Sequence, residues 1–129
     1  MSVGLRTRTF PADRRELAQI RRFVEDEAGR RTFSTEVPEL KLAVTEACAN
    51  SILHAGASTI QVSIVLLGTC LEITVEDDGI YQREIPIPEM DGSGHRGIHL
   101  MAAMVDDLAL RRGTRERPGT VVRLVKCKT

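Results

Sequence analysis

The sequence predicts one α/β domain over residues 1–129, and three observations carry the prediction. Residues 13–28 and 37–54 repeat apolar side chains at the three-and-four spacing of a helix. Residues 58–68 and 69–79 are dense in β-branched residues and meet at Gly68-Thr69, the pattern of a hairpin. The chain has 129 residues, enough to build one ordinary hydrophobic core without disulfides or metals.

Taken in order, VGLRTRTF (3–10) sets Val3, Leu5, Thr7 and Thr9 against Gly4, Arg6, Arg8 and Phe10, a short edge strand that Pro11 ends. From 13 to 28, Leu17, Ile20, Val24 and Ala28 form one apolar stripe. Arg14, Arg15, Arg21, Arg22, Glu25 and Asp26 spread over the remaining surface and read as a solvated face. Gly29 is placed to close this helix. Ser34 or Thr35 offers a cap for the second helix, Pro38 suits its first turn and Gly56 is its natural stop. The hairpin follows. Residues 80–97 then run for 18 residues without periodicity, too long for an ordinary connection in a compact domain, and read as functional or mobile. IHLMAAMVDDLAL resumes helical spacing and runs into a strand, RRGTRERPGT is a polar turn, and VVRLVKCK is the closing strand.

Composition excludes several functions. Hydrophobic residues at 42% and charged residues at 28% mark a globular chain. Eighteen basic and eighteen acidic residues cancel, so no field of one sign points to nucleic acid or a membrane surface. Aromatics at 3%, with no Trp, argue against single-strand binding by base stacking. Cys48, Cys70 and Cys127 are odd in number, widely spaced and lack a Cys-x-x-Cys. They read as reduced, small apolar fillers. The first residues lack a signal-peptide core and no run reaches the roughly 18 apolar residues of a membrane span, so a soluble cytoplasmic protein is expected.

Three stretches carry candidate chemistry. In TEACANSILHAG (45–56), Glu46, Asn50 and His54 recur every fourth residue and stack on one helical stripe. A carboxylate and an amide one turn apart can hold a divalent ion and polarise a hydroxyl or water, but the same pair can equally solvate and bond backbone. His54 can close a site or simply pack. In EDDGI, Asp77 at a strand end offers an acceptor for an exocyclic amine and Gly79 a backbone that lies close to a flat ring; a plain Asp-Gly turn is the alternative. GSGHRGIHLM opens a helix with small residues and free N–H groups, an arrangement suited to phosphate, with His95 and Arg96 adding charge. A loop without a ligand is the alternative here too. It is neither a Walker loop nor a dinucleotide fingerprint.

The order of these parts, a helical Glu-x-x-x-Asn, a hairpin ending in Asp-x-Gly, a long loop with a Gly-rich helix start, then Gly119-Thr120 opening a last strand, resembles the GHKL (Bergerat-fold) ATPases. Within them, the short chain resembles the anti-sigma factor serine kinases of bacterial switches. The likeness covers nearly the whole chain. It is most specific at residues 42–56, 75–79, 94–104 and 119–125.

The resemblance implies a two-layer α/β sandwich: a mixed, mostly antiparallel sheet with three helices on one face, nucleotide between helix and sheet, and the other sheet face solvated or buried in a homodimer. It implies ATP and magnesium as cofactors. Asn50 would ligate the magnesium and Glu46 would act as general base toward a serine hydroxyl. Asp77 would accept from the adenine amino group, Gly79 would admit the ring, and Thr120 would stand at the adenine end. Gly94, Gly97 and the N–H groups from Ile98 would hold phosphate, with Arg96 reaching the outer phosphate. The implied partners are a sigma factor and an anti-anti-sigma protein, with no direct contact to nucleic acid or membrane.

Two positions depart from the family pattern. Tyr81 stands where a second glycine usually follows Asp-x-Gly, and Gly94-His95-Arg96-Gly97 puts one more residue between the glycines. They motivate an alternative, a catalytically weak or inactive module of the same fold that sequesters a protein partner. A third reading, a sensor-kinase ATPase domain acting on histidine, is disfavoured because no dimerisation helix or acceptor segment precedes residue 1.

Overall fold

The computed structural model describes residues 4–80 and 96–129. Strand β1 (Arg6–Pro11) leads through a 3₁₀ turn at Arg14–Glu16 into helix α1 (Leu17–Arg30), and a second such turn at Ser34–Glu36 leads into helix α2 (Val37–His54). Strands β2 (Thr59–Leu67) and β3 (Cys70–Asp77), helix α3 (Arg96–Met104), and strands β4 (Asp107–Arg111) and β5 (Val121–Cys127) complete the order. The sheet runs β1-β2-β3-β5-β4. Among the described residues every pairing is antiparallel.

Alternation decides which face carries the core. Ile60, Val62 and Ile64 of β2, Leu71, Ile73 and Val75 of β3, and Val122 and Leu124 of β5 are all buried toward the helices. Against them pack Ile20, Val24 and Ala28 of α1, Leu40, Ala43, Val44, Ala47 and Cys48 of α2, and Met101 of α3. The opposite face is polar: Thr7 hydrogen-bonds Ser63 at 3.0 Å, and Arg123 pairs with Glu72 at 2.8 Å. Two charged residues stand on the core side without breaking it. Lys126 continues the inward row of β5 and reaches Glu39 of α2 at 2.8 Å. Arg31 is buried just beyond α1 against Glu27 at 2.7 Å, and also donates to the carbonyl of Gly4 at 2.6 Å.

Four expectations need correction. Gly29 does not close α1; the helix runs one residue further, and Thr32, at φ 66°, takes the left-handed turn. Neither Ser34 nor Thr35 caps α2, because both lie in the 3₁₀ turn that feeds it, and Glu36 precedes the helix without a side-chain cap. The helix expected from Ile98 starts at Arg96. Cys70 and Cys127 are joined in a disulfide, since β3 and β5 are neighbours in the sheet and their register sets the two residues opposite each other. Only Cys48 is the filler expected. It is fully buried, and burial, then the nearby Asp77 carboxylate, pushes its thiol up to about 12.

Candidate functional site

The alternation that buries Leu71, Ile73 and Val75 puts Asp77 on the same side, so a carboxylate takes a position where the strand pattern calls for an aliphatic residue. It is 4% exposed, and burial at that level demands partners. Its Oδ1 has them: the N–H of Gly79 donates at 2.9 Å and that of Thr120 at 3.1 Å. The Asp77 N–H in turn donates to the Thr120 carbonyl at 2.9 Å. Its Oδ2 has no partner among the described residues.

Asp77 lines a pocket whose walls come from three elements of the fold: Ala47, Asn50, Ser51 and Ala55 of the α2 end, Ile98 of α3, and Asp77, Leu110, Thr120 and Val122 of the sheet side. The side chains leave about 10 Å³ between them, room for one water. Of the lining residues, Ile98 is half-buried and Leu110 is exposed at the rim.

Glycines bring the walls together. A Cβ on Gly79 would stand 2.1 Å from the carbonyl oxygen of Ala55, so the end of β3 meets the end of α2 backbone to backbone. The Ile80 N–H seals the contact by donating to the same Ala55 carbonyl at 2.9 Å. A Cβ on Gly113 would stand 2.6 Å from the Gly79 oxygen and 2.7 Å from the Gly119 nitrogen. Gly119, at φ 98°, donates to the Gly79 carbonyl at 2.8 Å. The Gly113 N–H donates to the Thr120 hydroxyl oxygen at 2.9 Å, which leaves the hydroxyl proton free for another acceptor. Outside this knot, Asp78 accepts from the N–H groups of Ser58 at 2.8 Å and Thr59 at 3.1 Å and from the Ser58 hydroxyl. Those bonds, the Ser58 hydroxyl foremost, hold its carboxyl down to about 2.

The structure thus brings Asn50, Asp77, Ile98 and Thr120 into one pocket, with Gly79 directly behind it. Glu46 lies one turn before Asn50 on α2, half-buried, beside the pocket residue Ala47 rather than in the wall. Arg96 and Gly97 form the first turn of α3, and their side-chain surroundings are not described; nor is the His54 side chain. Gly94, with Tyr81 and His95, lies outside the described residues. Sequence reasoning missed Gly113, Ser51 and Leu110. Gly113 carried a signal as the first glycine of RRGTRERPGT, but it reads there as an ordinary turn.

The family model of the histidine kinase-like ATPase domain matches residues 10–126. This chain belongs to that family. It is a GHKL-type nucleotide-binding module, and Asp77 places a buried carboxylate in its pocket. In fold, this ATPase domain is similar to the histidine kinase domain from Erythrobacter litoralis EL346 blue-light activated histidine kinase, at 21% identity and TM-score 0.58, covering 92% of this chain and 61% of that one. It is also similar to Acinetobacter baumannii histidine kinase AdeS, at 9% identity and TM-score 0.53, covering 98% and 70%. At these identities the likeness is one of fold, and the domain spans about three-fifths of the first structure. No curated protein matches it. Among its described residues no helix is long and apolar enough to cross a membrane.

Proposed function

We propose that this ATPase domain is an ATP-dependent protein serine kinase that phosphorylates an anti-anti-sigma partner and sequesters a sigma factor, so that partner switching controls transcription. The observation that carries nucleotide binding is the unpartnered Oδ2 of Asp77 in a pocket shared with Asn50. Asp77 accepts from the adenine amino group, and Thr120, its oxygen already occupied by Gly113, donates. Asn50 would contribute its side-chain oxygen to magnesium. Bound ATP with magnesium supplies the phosphoryl group. Glu46, half-buried one helical turn before Asn50, would take the proton from the partner's serine hydroxyl as its oxygen bonds to phosphorus and the bond to the ADP oxygen breaks. The N–H groups at the start of α3, with Gly94, Gly97 and Arg96, would hold the phosphates.

The serine specificity and the sigma-factor partners rest on the resemblance to the anti-sigma kinases. A second reading, a binding module without kinase activity, draws on the narrow pocket together with Tyr81 and the longer glycine box. Titrating ATP with and without magnesium, then following phosphoryl transfer to a co-expressed partner, separates the two. Magnesium-dependent binding that Asn50→Ala weakens, with transfer that Glu46→Gln slows at least about a hundredfold, supports the kinase. Binding without transfer to any cognate partner supports the module.

A further inference from the structure

A second concavity lies far along the sheet from the nucleotide pocket and shares no residue with it. Strand β1 is the first in the sheet order, so its outer edge carries no partner strand among the described residues. Helix α1 overhangs this edge. Between them is a groove of about 320 Å³, lined by Arg6, Thr7 and Arg8 of β1 and by residues of α1 that include Arg22, Phe23 and Arg30.

The charge in the groove is one-sided. Four arginines line it against two carboxylates, Asp26 and Glu27. Glu27 is committed to the buried Arg31 at 2.7 Å and stands 3.8 Å from Arg30. Arg6, Arg8 and Arg22 make no ion pair with any described residue; Arg8 only stacks over the Phe10 ring at 4.8 Å. On a chain whose net charge is zero, three arginines without an ion-pair partner stand beside a free strand edge, against the single uncommitted carboxylate of Asp26. They are more than the solvated face that α1 shows in sequence.

We propose that this groove binds an acidic segment of a partner protein in extended conformation, added as a strand to the β1 edge. Strand addition satisfies the free backbone groups of the edge, and side chains at every second position of the added strand turn toward α1. Arg6 and Arg8, two residues apart on the helix-facing side of β1, set the same period. The matching ligand therefore carries carboxylates at alternate positions. A second copy of this chain fits poorly, because edge-to-edge pairing would bring the arginines of one β1 against those of the other.

The test uses the full chain and a fluorescein-labelled peptide of five Glu-Thr repeats, with five Lys-Thr repeats as control, followed by anisotropy. The Glu-Thr peptide is expected to bind, to weaken as salt rises, and to lose at least about tenfold in affinity with Arg6→Glu and Arg22→Glu combined, while the Lys-Thr peptide does not bind. Both substitutions sit on solvent-facing side chains, and an unchanged thermal melt and ATP titration report that the fold and the distant pocket are intact. Equal binding by the double variant, or equal binding of the Lys-Thr peptide, overturns the proposal. So does sedimentation that finds a dimer in the wild type and a monomer in the variant, because the edge is then the chain's own.

Discussion

Asp77→Asn separates the two tasks of one carboxylate. The amide carbonyl of the variant inherits the bonds from Gly79 at 2.9 Å and Thr120 at 3.1 Å. Bonds to a neutral acceptor are each about 1 kcal/mol weaker than to a charged one, but burying an amide avoids a desolvation cost of similar size, so stability changes by no more than about 2 kcal/mol. At the other position the change is a reversal: an NH₂ donor replaces the orphaned Oδ2 and meets the adenine amino group donor to donor. A lost bond plus stranded donors amounts to about 3 kcal/mol, roughly a hundredfold in Kd for ATP. Calorimetric titration of both proteins, with urea unfolding alongside, measures the two effects independently. An Asp77→Asn variant that binds ATP within about threefold of wild type refutes the assignment of Oδ2 as the reader of the base. One that loses more than about 3 kcal/mol of stability shows that the carboxylate is first a structural group.

Gly79→Ala drives a Cβ to 2.1 Å from the Ala55 carbonyl oxygen, where only backbone can yield; a loss of about 3 kcal/mol or more in urea unfolding is expected, with the Ile80 and Gly119 bonds disturbed together. Asp78 has a carboxyl held down to about 2 in the folded chain against an ordinary 3.8. Its contribution to stability is complete above about pH 4 and lost as pH falls toward 2, so Asp78→Asn flattens that part of the acid-unfolding curve. Reduction of the Cys70 and Cys127 bridge, which closes a span of 57 residues, lowers the unfolding free energy by up to about 4 kcal/mol; Cys127→Ser gives the same loss without reductant.

The layers of this fold were legible because their signals are local. The period of Leu17, Ile20, Val24 and Ala28, the Pro38 and Gly56 that bracket α2, and the Gly68 turn of the hairpin each declare an element within a few residues of themselves. The inward direction of Asp77 could also be read, since it continues the alternation of Leu71, Ile73 and Val75. What escaped depends on which strands become neighbours. Cys70 and Cys127 face each other only because β5 inserts beside β3, and Gly113 matters only because that insertion brings it under Gly79. Nothing local marks Arg31 and Glu27, yet Arg31 reaches back to the N-terminal segment and is buried with its partner. At the end of α1, Thr32 rather than Gly29 adopts the left-handed turn, a choice of chain direction that no periodicity reports.

Gly79 at the end of β3 meets Gly113 and Gly119 of the β4–β5 connection backbone to backbone, without a side chain among them. Each position is closed by backbone: a Cβ on Gly113 meets Gly79 and Gly119, one on Gly79 meets Ala55, and one on Gly119, already at a positive φ, meets the Asp77 carbonyl. A survey of all single substitutions should therefore find these columns intolerant as a group. An engineer rebuilding the base-reading end for another nucleotide can vary the rim at Ile98 and Leu110, but must leave this keystone in place.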